Sequence, residues 1–261
     1  DFGKYFAKTA STARDEVILE VRNLTLEGVF EDISFDLYRG EVLCMAGLVG
    51  ARRTDVALAI FGVIPPTSGS IKFKGQTTKF TDPRTAIEAG IAYVSEDRRK
   101  LGLAMPMAIK SNVSMATLDS FLSPLGLLKR EKEGKVARHF IDSLNIRTPD
   151  VETPVGMLSG GNQQKVMLAK WLNLNPDLFI FDEPTRGIDI GAKAEVHDLI
   201  RSIAAKGGAA LLISSDLPEV LAMGDRILVM REGHQMSIVK HSEATQETVM
   251  MHATGQRQEA I

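Results

Sequence analysis

The sequence predicts an α/β protein in which a buried parallel sheet carries a ligand site at the carboxyl ends of its strands. The first observation is the apolar run Val42–Ala46, which leads directly into a glycine-containing loop. The second is the apolar run at residues 178–181, which ends in Asp182, Glu183 and a proline. Strands buried on both faces read as continuous apolar runs, and α/β proteins bind ligands beyond the carboxyl ends of such strands. The third is a helix start at residues 158–165, which ends thirteen positions before the second run.

Length and composition fit one large α/β domain, or one domain with a subdomain. The chain has 261 residues, of which 44% are hydrophobic and 25% charged. Its formal net charge is -2, so we expect no nucleic-acid partner. The one cysteine, Cys44, lies in an apolar run, which favours a buried thiol in a cytosolic protein. No apolar run reaches the roughly 18 residues that span a membrane, so any membrane role is expected to go through a partner. Because the sequence begins with Asp1, we expect a piece of a longer protein.

An antiparallel β layer is predicted before the first buried run. Residues 1–16 are polar, lack a clear period and are interpreted as a linker. Apolar and polar residues then alternate over residues 17–25 and 33–37, which is typical of half-exposed strands. Residues 38–41 are interpreted as the turn into the buried strand Val42–Ala46.

The loop after Val42–Ala46 has the position of a phosphate-binding loop, which reads G-x-x-x-x-G-K-[ST] between a strand and a helix. A helix is predicted here at residues 55–61. The loop residues, called the phosphate loop below, are Gly47, Leu48, Val49, Gly50, Ala51, Arg52, Arg53 and Thr54. Arg52 replaces a glycine that lets the backbone approach phosphates, and Arg53 replaces a compact lysine charge with a planar fork. Two interpretations stay open: a modified nucleotide site that hydrolyses poorly, or a strand–helix turn that only descends from a phosphate loop.

The middle of the chain continues the alternation of strands and helices. A turn at residues 67–75 is flanked by short strands, a short helix is predicted at residues 82–90, and Ile91–Val94 reads as another strand. That strand ends in S-E-D-R-R at residues 95–99. From the residues alone, this segment is equally well a solvated acidic–basic loop or part of a site.

The pattern becomes helical between residues 101 and 157. Helices are predicted at residues 112–118 and 127–144, the second with charged residues on one face and an apolar stripe on the other. Pro149 and Pro154 mark the loop that leads to the next helix.

That next helix begins at residues 158–165, L-S-G-G-N-Q-Q-K, called the signature segment below. Ser159 is a favourable N-cap, and helix formers continue to Leu172. A helix start offers free backbone N–H groups and a positive dipole end, which suit a phosphate. The alternative is an ordinary capped helix.

After Glu183, the chain completes the α/β pattern. An amphipathic helix is predicted at residues 190–203 and a buried strand at residues 209–214. Residues 222–230 and 233–239 follow, and the tail after about residue 241 is polar.

The order of the signature segment, a short helix and a strand ending in Asp-Glu resembles the ATP-binding cassette (ABC) ATPases. The resemblance covers residues 17–240. It implies a P-loop NTPase (RecA-like) core with an antiparallel β subdomain and a helical subdomain inserted at about residues 101–157, followed by a tail at residues 241–261. With S-E-D-R-R and D-E-P-T-R-G-I-D-I-G-A-K added, the chain is similar to the second, C-terminal ATP-binding domain of bacterial monosaccharide importers of the ribose/galactose/xylose type.

The resemblance implies that the chain binds ATP and Mg²⁺ in a site of its own. The phosphate loop would hold the phosphates, with Thr54 and Asp182 contributing to Mg²⁺ binding. Glu96 stands where most members have a glutamine that touches Mg²⁺ and the attacking water. The family usually has glycine at the position of Arg52, so this arginine is a further departure.

The resemblance also assigns catalytic and adenine-binding positions. Glu183 would be the base that activates water. Ser215 stands where most members have a histidine that contacts the γ-phosphate, and serine can hydrogen-bond but cannot carry a positive charge. Phe30 is a candidate for stacking on adenine, beside Val29.

A second ATP site is implied between two domains. Ser159, Gly160, Gly161 and Gln163 of the signature segment would close on ATP held by a partner domain, and Asp189 would reach across the interface. The partner is a second nucleotide-binding domain, supplied in tandem or by a second copy.

For the whole protein, the resemblance implies import of a sugar from the cytoplasmic face of the inner (plasma) membrane. The implied partners are transmembrane permease subunits and, indirectly, a periplasmic sugar-binding protein. Two alternatives stay open. One is a regulatory module that binds nucleotide without turning it over, which the altered phosphate loop favours. The other is an ABC ATPase that acts on DNA or ribosomes, which the short helical insertion and the net charge disfavour.

Overall fold

A computed structural model describes residues 11–255 of the chain. The strands are β1 (Val17–Leu26), β2 (Phe30–Tyr38), β3 (Val42–Ala46), β4 (Ser68–Phe73), β5 (Gln76–Thr78), β6 (Ile91–Val94), β7 (Leu178–Asp182), β8 (Ala209–Ile213), β9 (Arg226–Arg231) and β10 (His234–Lys240). The α-helices are α1 (Arg53–Ile60), α2 (Pro83–Ala89), α3 (Ile109–Ser114), α4 (Arg130–Ser143), α5 (Gly160–Leu172), α6 (Ile190–Ala205), α7 (Leu217–Met223) and α8 (Gln246–Thr254). Within the described part of the chain, these strands form one sheet in the order β5-β4-β1-β2-β10-β9-β3-β8-β7-β6.

The parallel half of the sheet confirms the predicted fold class. Strands β9, β3, β8, β7 and β6 pair in parallel with one another in that order, whereas β9 pairs antiparallel with β10 on its other side. Every residue of β3, β6, β7 and β8 is buried, because helices cover both faces, as the continuous apolar runs require. The carboxyl ends of these four strands therefore meet at one edge, where the candidate site lies.

The predicted antiparallel layer is also present. Strand β1 pairs antiparallel with β2 and with β4, and β4 pairs with β5. This layer joins the parallel half through the pairing of His234 in β10 with Glu31 in β2. Residues 1–10 of the predicted linker and residues 256–261 of the predicted tail lie outside the described residues.

The helical subdomain differs from its prediction at the helix boundaries. The first predicted helix is α3 followed by a 3₁₀-helix over Met115–Phe121. The second begins at Arg130 rather than at residue 127. The reason is a turn at Gly126, whose φ is 74°, across which Leu122 pairs with Leu128.

Helix α8 follows the last strand. Thr245 caps its start by accepting a hydrogen bond from the backbone of Thr248, at 3.1 Å. Val249 and Ala253 are buried and pack into the core beside β9 and β10. The alternation of apolar and polar residues over this stretch is weak, which is why the sequence reads as a polar tail. The division of the chain into linker, domain and tail stays a prediction.

Lys170 ties the signature helix α5 to the segment that follows β6. Its buried ammonium group donates to the carbonyl of Gly102 at 2.6 Å and lies 4.6 Å from the centre of the Trp171 ring. Burial lowers the pKa of Lys170 to about 8. The side chain thus joins two segments of the candidate site at the cost of holding a poorly solvated charge.

This lysine predicts a specific pH dependence of stability. The ordinary pKa of lysine is 10.5, so between about pH 8 and that value the unfolded chain binds a proton that the folded chain releases. The free energy of unfolding should therefore rise with pH across this window, by up to about 3 kcal/mol. Lys170→Met should remove this rise in urea unfolding curves, whereas Lys135→Met, on an exposed face of α4, should keep it. An identical pH profile for the wild type and Lys170→Met would contradict this assignment.

Candidate functional site

The candidate site lies where β3, β8, β7 and β6 end side by side. The phosphate loop follows β3, Ser214 and Ser215 follow β8, and Glu183 follows Asp182 at the end of β7. Residues 95–99, called the Glu96 segment below, follow β6, the last strand of the sheet on this side. The sheet thus brings together residues that are far apart in the sequence.

Three positions of the phosphate loop, Gly47, Gly50 and Arg52, have backbone conformations that favour glycine. Gly47 has φ of 157°, and a Cβ there would collide with the carbonyl of Met230, so only glycine fits. Arg52 has φ of 69° and ψ of 23°, which is the left-handed conformation, immediately before α1 begins. An arginine in this conformation costs about 1–2 kcal/mol that a glycine would not. Val49, at the tip of the loop, is 99% exposed.

Arg53 is the buried cation of the site. Its guanidinium donates to the carbonyl of Ser214 at 2.6 Å. Burial lowers the pKa of Arg53, and the nearby carboxylates of Glu183 and Asp182 oppose that effect. An arginine keeps its charge under these conditions. The charge that a loop lysine would present to phosphates is therefore held by a backbone carbonyl and lies near two carboxylates.

Asp182 is buried and receives two hydrogen bonds. Thr54 donates its hydroxyl to Oδ1 at 3.1 Å, and Tyr93 donates its phenol to Oδ2 at 2.7 Å. Burial raises the pKa of Asp182, while the bonds from Tyr93 and Thr54 oppose the rise. Tyr93 is a site residue that sequence reasoning missed, since it reads as a core residue of β6. The sequence signal for Tyr93 is a single hydroxyl in the otherwise apolar strand β6, which pairs with β7, the strand that ends in Asp182 and Glu183.

Tyr93→Phe is expected to destabilise the protein measurably. It leaves one oxygen of a buried carboxylate without its donor, which typically costs about 1–3 kcal/mol. The free energy of unfolding in urea at pH 7 measures this effect. Tyr38→Phe is the control: Tyr38 is half-buried against Arg226, and its ring is kept in the variant. Equal stability of Tyr93→Phe and the wild type would show that Asp182 does not depend on the phenol.

Glu183 lies beside Ser215, where β7 and β8 end. Its φ is 48°, and its backbone N–H donates to Ile213 at 2.9 Å, which turns the side chain to the end of β8. Ser215 donates its hydroxyl to Oε2 of Glu183 at 3.1 Å. Burial raises the pKa of Glu183, and hydrogen bonds from Ser215 and the charge of Arg53 oppose the rise. A carboxylate with a raised pKa accepts a proton more readily than a solvated one.

The residues present fit Mg²⁺, which the resemblance implies. Thr54 and Asp182 bring two oxygen donors together, and Mg²⁺ is usually held by one or two carboxylates together with phosphate oxygens and water. Over residues 11–255, no group of three or more His, Cys, Asp or Glu side chains could hold a metal ion by itself. The carboxylate of Glu96, the third predicted ligand, forms an ion pair with Arg186.

The signature segment occupies the start of α5, as predicted. Ser159 is at the N-cap position, but its hydroxyl accepts a bond from Asn162 at 2.9 Å rather than capping the helix, so the predicted side-chain cap is wrong. A Cβ on Gly160 would lie 2.9 Å from the guanidinium of Arg98, and one on Gly161 would lie 3.1 Å from Cβ of Ala192. The start of α5 is therefore tightly packed at both glycines.

Gln163 and Asp189 are placed differently from each other. The side chain of Gln163 is 2% exposed and donates to the carbonyl of Leu158 at 2.9 Å, so it supports its own loop from inside. Asp189 is exposed and caps α6 by accepting from the backbone of Ala192 at 3.0 Å. That backbone bond lowers the pKa of Asp189. The predicted ATP contact of Gln163 and cross-interface contact of Asp189 stay predictions.

Arg98 connects the segment after β6 to both neighbouring segments, and sequence reasoning missed it. Its guanidinium donates to the carbonyls of Arg186 and Gly187, at 3.2 and 3.5 Å, and to Oε1 of Gln163 at 3.4 Å. With the Glu96–Arg186 ion pair, this makes two links between the Glu96 segment and the loop after Glu183.

Phe30 cannot serve as the adenine-stacking residue. Its side chain is 1% exposed and lies in the core, so the candidate proposed from the sequence is wrong. Alternation along β2 indicates only which side chains share a face of the sheet. It does not show that the first side chain of the strand is buried. Val29, beside it, is half-buried.

Comparison with known proteins agrees with this geometry. The family model described as ABC transporter matches residues 30–186. A putative ribose/galactose/methyl galactoside import ATP-binding protein from Pseudomonas savastanoi pv. phaseolicola is 47% identical over 242 residues, 93% of this chain and 46% of that protein. A ribose import ATP-binding protein from Rhodococcus jostii is 46% identical over 255 residues, 98% of this chain and 50% of that protein. The chain thus spans about half the length of these curated relatives.

A solved structure shows the same fold. The ADP conformation of an ATP-binding cassette of an ABC transporter has a TM-score of 0.75 at 21% identity, covering 92% of this chain and 99% of that chain. None of the helices in the described part of the chain has the length and apolar character needed to cross a membrane.

Proposed function

The chain belongs to the ABC transporter family, and we propose that it is an ATP-binding domain that powers import of a sugar. In this proposal its own phosphate loop is degenerate, and its signature segment completes the ATP site of a partner domain. The names of the relatives support sugar import. The proposed difference between the two ATP sites rests on Arg53. Its guanidinium donates to the Ser214 carbonyl and lies near the carboxylates of Asp182 and Glu183.

In the chain's own site, each residue has one role. Thr54 and Asp182 would hold Mg²⁺, which when bound neutralises charge on the phosphates. Glu183 accepts a proton from the water whose oxygen bonds to the γ-phosphorus, as the bond from that phosphorus to the oxygen of ADP breaks. Ser215 orients the Glu183 carboxylate through its 3.1 Å hydrogen bond.

This site is expected to be slow because its phosphate contacts are weakened. Arg52 stands where a glycine would let phosphate approach the backbone, and its left-handed conformation is strained. One N–H group of Arg53 is already donated to the Ser214 carbonyl, so fewer of its donors are free for a phosphate. Ser215 cannot supply the positive charge of a histidine.

The signature segment would act on the other site. Gly160 and Gly161 begin a helix of 13 residues, whose free N–H groups and dipole suit the γ-phosphate of an ATP molecule held by a partner. The partner is a second nucleotide-binding domain, in tandem or in a second copy. We place this chain as the C-terminal domain of the pair, because its phosphate loop is altered and its signature segment is complete.

Coupling to transport would run through the segment after β6. Glu96 and Arg98 join this segment to the loop after Glu183 and to α5. A displacement of that segment by transmembrane permease subunits would therefore move the signature start. The domain would sit at the cytoplasmic face of the inner membrane, with a periplasmic sugar-binding protein acting indirectly through the permease.

A second candidate is a regulatory module that binds nucleotide without hydrolysing it. The same Arg53 contact favours it, because a cation already paired within the protein binds phosphate less well. The two candidates differ in turnover.

Single-turnover hydrolysis of Mg-ATP by this chain tests the proposal, with Glu183→Gln alongside. We expect saturable binding and a slow turnover that falls about 100-fold in Glu183→Gln. Glu131→Gln is the control, since Glu131 is an exposed carboxylate of α4 in the helical subdomain. Binding without turnover in the wild type would favour the regulatory module, and a folded chain without saturable Mg-ATP binding would refute both.

A further inference from the structure

A buried carboxylate behind the candidate site belongs to Glu219 in α7. Its side chain is 1% exposed. Oε1 accepts hydrogen bonds from the hydroxyl of Thr185 at 2.9 Å and from Nε2 of His197 at 2.5 Å. Oε2 accepts from the hydroxyl of Ser214 at 2.5 Å. An ionised carboxylate only accepts hydrogen bonds, so Nε2 of His197 carries the proton in this arrangement.

The donors to Glu219 come from segments that carry the reacting groups. Thr185 lies two residues after Glu183, and Ser214 lies immediately before Ser215. His197 lies on α6, the helix that Asp189 caps. One carboxylate therefore joins the loop after β7, the loop after β8 and the helix of the predicted interface.

Ser214 connects Glu219 to the residues proposed to take part in the reaction. Its hydroxyl is also the acceptor for the backbone of Asp216 at 3.0 Å, which sets the turn around Ser215. Its carbonyl receives the guanidinium of Arg53. Because Ser215 in turn donates to Glu183, a displacement of the Ser214 hydroxyl would move the base and its hydroxyl partner together.

We propose that Glu219 is a positioning residue that holds Glu183 and Ser215 in register by binding Thr185 and Ser214 at once. The role in turnover rests on the proposed function, whereas the role in loop position does not. Glu219 touches none of the groups proposed to contact ATP through their side chains, so it acts on rate rather than on nucleotide affinity.

The charge of the side chain is essential to this role. Glu219 accepts three donors on two oxygens, which an ionised carboxylate can do without rearrangement. A glutamine of the same shape has one acceptor oxygen and one NH₂ group. The NH₂ group would face either Ser214 or the pair formed by Thr185 and His197, so at least one loop must reorient its donor.

The test compares Glu219→Gln with Glu133→Gln in the full chain. Glu133 is the matched control, because it is also buried and accepts a serine hydroxyl, that of Ser114, at 2.6 Å, but it lies in the helical subdomain. Amide hydrogen exchange is measured without nucleotide, and single-turnover hydrolysis and Mg-ATP affinity are measured separately. Thr185→Val is a milder second variant that removes one donor while keeping the shape.

Glu219→Gln is expected to speed exchange at least tenfold at residues 183–187 and 214–216, and to lower the hydrolysis rate at least tenfold with less than a threefold change in Mg-ATP affinity. Thr185→Val should show a smaller change of the same kind, and Glu133→Gln should show neither. If Glu219→Gln does not fold, Thr185→Val decides the test by the same criteria. Unchanged exchange in these two loops overturns the proposal even if the wild type hydrolyses no ATP. Faster exchange with an unchanged rate in an active wild type also overturns it.

Discussion

Gly161→Asp is expected to lower ATP turnover by the assembled transporter at least about 100-fold, which corresponds to roughly 3 kcal/mol of lost transition-state stabilisation. Gly161 lies in the first turn of α5, where the helix dipole and free N–H groups favour an anion. An aspartate there adds a like charge to the place proposed for the γ-phosphate. The new Cβ would also lie 3.1 Å from Cβ of Ala192, which is a tight contact. Phosphate release by the transporter in vesicles measures the effect.

Gly126→Asp is the control for this substitution. It adds the same charge in the helical subdomain, at an exposed turn where a Cβ would meet nothing within 4 Å and where aspartate tolerates the φ of 74° better than most residues. Its turnover should stay near that of the wild type. If Gly161→Asp also kept full turnover, the signature segment would have no part in an ATP site.

Restoring the common phosphate-loop residues, by Arg52→Gly together with Arg53→Lys, is expected to tighten Mg-ATP binding at least about tenfold, or 1.4 kcal/mol. Glycine relieves the left-handed strain at φ of 69° and opens the backbone to phosphate. The Arg53→Lys substitution replaces the guanidinium that is bound to the Ser214 carbonyl with a compact ammonium group. Isothermal titration with Mg-ATP measures the affinity, and single-turnover hydrolysis should rise in parallel and still require Glu183.

The single substitutions separate the two causes. Arg52→Gly alone should raise the free energy of unfolding by about 1 kcal/mol, because the strain is a property of the backbone. Asn175→Gly, at another left-handed position with φ of 50° that follows α5, should give a smaller gain, because asparagine tolerates this conformation better than arginine, and should leave Mg-ATP affinity unchanged. Unchanged affinity in the double variant would mean that the phosphate loop is not what limits nucleotide binding.

What could be predicted from the sequence was set by local patterns. The strands Val42–Ala46 and Ile91–Val94 have the bounds that their apolar runs indicate, because burial on both faces leaves a continuous signal. The conformation of Arg52 could also be anticipated, since the loop pattern places glycine there for its backbone freedom.

The residues that were missed act through contacts between distant parts of the chain. Tyr93 and Asp182 are 89 positions apart, and Glu219 meets Thr185 only once β7 and β8 lie side by side. A single strand pattern contains no information about which hydroxyl will face which carboxylate. Phe30 was misjudged for the same reason, because the pattern of β2 does not show that its first side chain is buried in the core.

The asymmetry between the two ATP sites is tested most directly by steady-state ATP turnover of the assembled transporter carrying either Gly161→Asp or Glu183→Gln in this domain. We expect Gly161→Asp to lose at least about 100-fold, because it damages the site completed by the signature segment, and Glu183→Gln to keep at least about half of the wild-type rate, because the chain's own site contributes little. Equal and severe losses in both variants would contradict a degenerate phosphate loop and show that this domain carries a working catalytic site.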